Sequence, residues 1–237
     1  MNIKLFTIVV FAVTHPVLTH AQSESPDYTF EVQAGSYMPN IDSQFESSQG
    51  SVRPPYEEAF GGDPSLVLRL KLQRNLAAPF GTIGLGSSIG YWCKEGKAIA
   101  PTGSDASDTT EMVIYPIQLE ASYRLDRWVE YFPLVPMVRG GLSYYYWRIF
   151  DGADDLASFS TGQDAQGGTL GWHVALGVHI LLDAFDQEAA IDFERDAGLV
   201  NTYFTIEYQM SRVDDFGSAE SFRLGDDVLL FGLALDY

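Results

Sequence analysis

Apolar and polar residues alternate with period two along several separate stretches of this chain. A strand turns successive side chains to opposite faces, so each such stretch predicts a β-strand. Eight are legible, at 28–37, 65–75, 81–92, 112–125, 134–149, 169–182, 201–213 and 228–237. The cleanest is the second, where Leu66, Leu68, Leu70 and Leu72 share one parity and Arg69, Lys71 and Gln73 the other. In the fourth, Val113, Tyr115, Ile117, Leu119, Ala121 and Tyr123 oppose Gln118, Glu120, Ser122 and Arg124. In the last, Leu229, Phe231, Leu233, Leu235 and Tyr237 oppose Leu230, Gly232, Ala234 and Asp236.

Four features interrupt the pattern. The third strand carries a glycine row, Gly84, Gly86 and Gly90, which either makes room for long side chains from elsewhere or marks a bend. Pro116 removes a donor from the fourth strand and weakens the reading of its first half. The run Tyr144–Trp147 reads as an interfacial aromatic belt, with an aromatic ligand platform as the alternative. Within 183–200 the period changes: Phe185, Ala189, Phe193 and Ala197 recur every four residues, predicting a short amphipathic helix. That helix either caps one mouth of the fold or meets a partner.

The connections alternate in length. Polar loops over 40–64, 93–110 and 150–168 follow the first, third and fifth strands, and short links follow the second and fourth. Long loops at one end and short turns at the other, with greasy and polar parities on every strand, predict an all-β fold. It is a transmembrane antiparallel up-and-down β-barrel of eight strands with one short periplasmic helix. A soluble β-sandwich with its charges in water is the architectural rival.

Composition sharpens this picture. The formal net charge is −18, which excludes a nucleic-acid surface. A single cysteine, Cys93, permits neither an intramolecular disulfide nor a cysteine-based zinc site. Residues 1–21 read as a secretory signal, with Lys4, an apolar run from Leu5 to Val13, and Thr19-His20-Ala21 at the cleavage site. Residues 22–237 are then the barrel domain.

On this fold one parity of each strand fills the interior. Arg69, Lys71, Arg124 and Arg139 would face Glu31, Glu120, Glu207 and Asp236 across a lumen just wide enough for side chains. Such charges either form a salt-bridged plug or line a narrow gated pore for ions or small apolar solutes. His173 and His179 both point inward. They are satisfied interior residues or, with Ser143 or Glu207, part of a hydrolytic unit. The acidic loop Asp151–Asp155 is solvated charge, or a weak divalent bridge to lipopolysaccharide phosphates. No cofactor, metal or catalytic residue is expected.

These stretches together resemble the small eight-stranded outer-membrane barrels of OmpA and OmpW type, over the whole mature chain and in pattern rather than motif. Gly167–His173, Leu182–Asp186 and Asn201–Phe204 are also similar to stretches of an uncharacterised family of predicted outer-membrane barrels. The resemblance implies residence in the cell outer membrane as a monomeric barrel with a structural or surface-interaction role. It implies outer-membrane lipid, lipopolysaccharide and the barrel-assembly machinery as partners. In such barrels the last strand carries the assembly signal, here Phe231, Leu233, Leu235 and Tyr237.

Overall fold

The computed structural model describes residues 26–45, 55–99, 105–129, 131–158 and 162–237. The signal read at 1–21 lies outside the described residues. Eight strands run β1 (Tyr28–Tyr37), β2 (Ser65–Ala78), β3 (Gly81–Ile99), β4 (Asp105–Arg124), β5 (Leu134–Phe150), β6 (Gln166–Leu181), β7 (Asn201–Val213) and β8 (Asp227–Asp236). Each pairs antiparallel with the next, and β1 pairs with β8, closing the barrel. At the seam Thr29 stands opposite Asp236 and Phe30 opposite Leu235. The Tyr28 and Tyr237 backbones exchange hydrogen bonds of 3.2 and 2.9 Å just beyond that ladder.

The wall is inside-out relative to a soluble protein. Leu66, Leu68, Leu70 and Leu72 are exposed on the outer surface, as are Leu119, Leu142, Leu176 and Phe231. Arg69, Lys71, Arg124, Arg139, Glu31, Glu207 and Asp236, by contrast, are each at most 2% exposed. A sandwich would hide the leucine row and wet the charges, so this distribution excludes it. Aromatic side chains edge the apolar wall. Tyr91, Tyr115 and Tyr146 neighbour one another at 5.7 and 6.3 Å, and Phe80 stacks on Trp128 at 6.2 Å near the short turns.

Several expectations are corrected. The second polar loop is mostly strand: β3 runs on to Ile99 and β4 begins at Asp105, with a register shift between Lys97 and Ile99. The Lys94–Lys97 segment carries no greasy parity from which a strand could be read. Residues 40–64 hold a 3-10 turn, Ile41–Gln44, and a short helix, α1 (Pro55–Phe60). The Asp42 carboxylate supplies the cap, accepting from the Tyr56 and Glu57 amides at 2.8 and 2.9 Å. Pro116 stays inside β4. The β3–β4 ladder pairs Ile89 with Ile117, breaks, and resumes at Trp92 and Ile114, so the missing donor falls in the gap. Of the glycine row, Gly84 and Gly90 make interior space. A Cβ would lie 2.7 Å from the Gln73 amide carbon at Gly84 and 3.1 Å from Arg69 Cγ at Gly90.

Two further corrections concern the ends of the cylinder. Its interior is not polar throughout. Tyr37, Val67, Trp92, Ile114, Tyr145 and Leu230 form an apolar plug in the half nearest the long loops. Trp147 belongs to that plug, whereas Tyr144 is exposed on the outside, so the Tyr144–Trp147 run is only half belt. At the other end, α2 (Gln187–Ala197) forms where the four-residue period placed it, capped by the Asp186 side chain on the Ala189 amide at 3.0 Å. It does not cap the mouth. No residue of α2 is buried, and Phe185 and Phe193 are 73% and 51% exposed. Val135, Tyr203 and Ala234, with Val129 and Leu181, close that end instead.

Two outcomes follow. Leu119→Arg on the lipid-facing wall should destabilise the barrel by about 2–4 kcal/mol in urea titrations of folding into lipid vesicles. Replacing residues 184–199 with a short glycine-serine turn should leave the folding midpoint unchanged within about 0.5 kcal/mol, because the segment buries nothing.

Candidate functional site: an ionic layer in a sealed lumen

Alternation brings one inward charge or amide from nearly every strand to a common depth. Arg139 on β5 is the hub. Its Nη2 lies 2.7 Å from Glu31 on β1, and its Nη1 lies 3.2 Å from Glu120 on β4 and 3.3 Å from Glu207 on β7. Lys71 on β2 reaches Glu207 at 3.1 Å. The Gln33 amide donates to Glu31 and Glu207 at 3.2 and 3.3 Å. One layer nearer the short turns, Arg124 meets Asp236 at 3.1 Å and lies 3.8 Å from Asp126, and the Thr29 hydroxyl donates to Asp236. Low dielectric makes each contact strong and each missing partner costly, which is why the charges come as a network.

The sequence-predicted residues do not all meet. Arg69 makes no ion pair among the described residues. Its Nη1 donates to the carbonyl oxygens of Gln209 at 2.6 Å and Gln118 at 3.5 Å. His173 joins the layer, with Nδ1 at 2.9 Å from Ser143 Oγ and Nε2 at 3.5 Å from Glu120. Gln118 donates to Ser143 Oγ at 3.2 Å, which leaves the hydroxyl proton for Nδ1, while Nε2 stands near Glu120 without a hydrogen bond to it. Of the two side chains weighed as partners of His173, Ser143 meets it and Glu207 does not; Glu120 takes that place. His179 stands apart, its ring 5.6 Å from that of Tyr203 and neither nitrogen hydrogen-bonded within the protein. Ser143 and His173 are both 1% exposed, so the hydroxyl–imidazole–carboxylate row has no approach for a substrate.

Sequence reasoning passed over the uncharged members, Gln33, Gln118 and Gln209. Their signal was inward parity alone. The outer lid was also missed, because it is built from loops. The loop 214–226 folds over the plug: the Tyr37 hydroxyl donates to the Leu224 carbonyl, and the Met38 amide donates to Asp226 at 2.9 Å. Burial raises the Asp226 carboxyl above its ordinary range. Beside this lid a cleft of about 340 Å³ opens between Trp147, Gly167, Gly168, Glu220 and Phe222. In the loop 151–155, the Asp151 carboxylate is engaged by its own turn, accepting from the Ala153 and Asp155 amides at 3.0 and 3.1 Å.

Removing the hub leaves Glu31 and Glu120 without their arginine in low dielectric and Glu207 with Lys71 as its one cation among the described residues. Arg139→Met should cost about 3–5 kcal/mol, measured by guanidinium titration in detergent micelles. Ser143→Ala, which loses a neutral hydrogen bond, should cost about 1 kcal/mol.

No protein-family model and no curated protein matches the chain. Solved structures do match. Neisserial surface protein A is 13% identical, with 89% of this chain and 96% of that one covered and a TM-score of 0.47. Outer membrane protein OprG of Pseudomonas aeruginosa is 12% identical, over 90% and 96%, at 0.46. Ail, the attachment invasion locus protein of Yersinia pestis, is 8% identical, over 90% and 100%, at 0.41. Likenesses of this size say nothing about role. The closed ring of strands, the apolar outer wall and the buried charges speak for themselves: lipid leaves no backbone group unpaired, and only a closed barrel satisfies it with strands. The chain is a small eight-stranded antiparallel β-barrel whose outer wall is built to face lipid.

Proposed function

We propose that this barrel does not conduct and serves as a structural and surface-interaction element of the outer membrane. The carrying observation is the triple closure of its lumen. The apolar plug around Trp92 and Tyr145, the ionic layer around Arg139 and the Val135–Tyr203–Ala234 cluster succeed one another along the axis. Every charge in the middle layer is committed to a neighbour or to an amide, so a permeating ion would have to break several buried contacts at once. The same sealing weighs against hydrolysis at Ser143 and His173.

What remains accessible is the long-loop end. There the loop 214–226, α1 and the cleft beside Trp147 and Phe222 form the surface offered to the medium. Its partners on this reading are outer-membrane lipid and lipopolysaccharide around a monomeric wall. The assembly machinery would meet the last strand, where Phe231, Leu233 and Tyr237 face outward and Leu235 is half-buried.

Planar-bilayer recording tests the reading. The purified barrel should insert without conductance steps, and Arg139→Ala or Glu120→Ala should not abolish a current, there being none. A steady unit conductance in the unmodified protein that either substitution removes would establish the pore instead.

A further inference from the structure

Arg69 differs from the other lumen cations. Arg139, Lys71 and Arg124 each touch a carboxylate, whereas Arg69, 1% exposed, touches none among the described residues. Its Nη1 is held by the Gln209 and Gln118 carbonyl oxygens. Nε and Nη2 make no hydrogen bond within the protein. Those two groups share the side-on edge with which a guanidinium grips an anion in a bidentate manner.

The surrounding groups supply more donors and few acceptors. Gln209 has its carbonyl oxygen on Arg69, which leaves its amide Nε2 without an acceptor. The Tyr145 hydroxyl, fully buried, makes no hydrogen bond, and its ring packs 6.3 Å from that of Tyr37. Gln118 has both ends engaged: its oxygen accepts from Ser88 as well as Arg69, and its amide goes to Ser143. Gln33, the strand partner of Arg69, turns its amide to Glu31 and Glu207. Its carbonyl oxygen makes no bond to the guanidinium.

A buried cation with an idle bidentate edge, beside an idle amide, is strongly unfavourable unless an acceptor completes it. We propose that Arg69, with the Gln209 amide beside it, holds one small monoanion of the halide class between the apolar plug and the ionic layer. A single guanidinium edge matches one negative charge and leaves a multiply charged oxyanion uncompensated. Both residues are sealed from solvent, so the ion is taken up as the barrel closes, and the site is independent of whether the lumen conducts.

The test uses the full barrel, refolded from urea into detergent with chloride, bromide or gluconate as the sole anion at one ionic strength. Its unfolding midpoint, read by heat-modifiable gel migration, should stand several degrees higher in either halide than in gluconate. Crystals grown in bromide should show an anomalous peak within hydrogen-bonding reach of Arg69 Nε and Nη2. Arg69→Met should remove both effects, and the surface control Arg212→Met should keep them. If Arg69→Met does not fold, the two measurements on the unmodified barrel decide alone. Equal midpoints in all three salts with no anomalous peak at Arg69, any electron density there being ordered water only, would overturn the site.

Discussion

A hydrocarbon solvent offers no hydrogen bonds, and every other feature of this barrel follows from that. Each backbone amide and carbonyl in the wall must find a partner in a neighbouring strand, so the sheet has to close, and the β1–β8 seam is where it does. Closure with eight strands leaves an interior only wide enough for side chains. The same constraint fixes polarity. The outer parity of every strand must be greasy, so the polar residues have nowhere to go but inward, and once inward they must satisfy one another.

The ionic layer is the answer to that second demand. Arg139 alone ties β5 to β1, β4 and β7, and Lys71 brings in β2. Buried ion pairs give little net stability compared with well-packed apolar groups, yet breaking one is costly. Their contribution here is arrangement: opposite walls of the cylinder are held at defined positions by contacts that cross it. Glycines on the wall make this reach feasible, as at Gly90, where the Arg69 stem occupies the space a side chain would fill.

Much of this was written in the alternation. Strands β1 and β7 are legible to the residue, because lipid enforces period two over their whole length. Legibility ends where lipid ends. Between Trp92 and Met112 the sequence is, apart from Ile99, charged, small or polar, and no parity distinguishes strand from loop. Inward charges could be placed in one lumen but not matched. Whether Glu120 or Glu207 would stand by His173 depends on stagger between strands, which pattern alone does not set. The plug was invisible for a different reason. Tyr37, Trp92 and Tyr145 sit on the inward parity but are chemically suited to either side, so composition could not tell a girdle from a core. The helix α2 was visible in its period. Its lack of cover was not, because amphipathicity shows that a face exists, not that anything meets it.

The lower contacts of Asp236 with Arg124 and Thr29 bear on how the ring is zipped. A one-residue slip of β8 would drive its leucines inward, and the hydrocarbon itself would reject it. A two-residue slip keeps the outward parity outward, so lipid is blind to it. That slip would nevertheless carry Asp236 away from both Arg124 and Thr29. A carboxylate one position from the edge of the sheet thus proofreads an error that the membrane cannot detect.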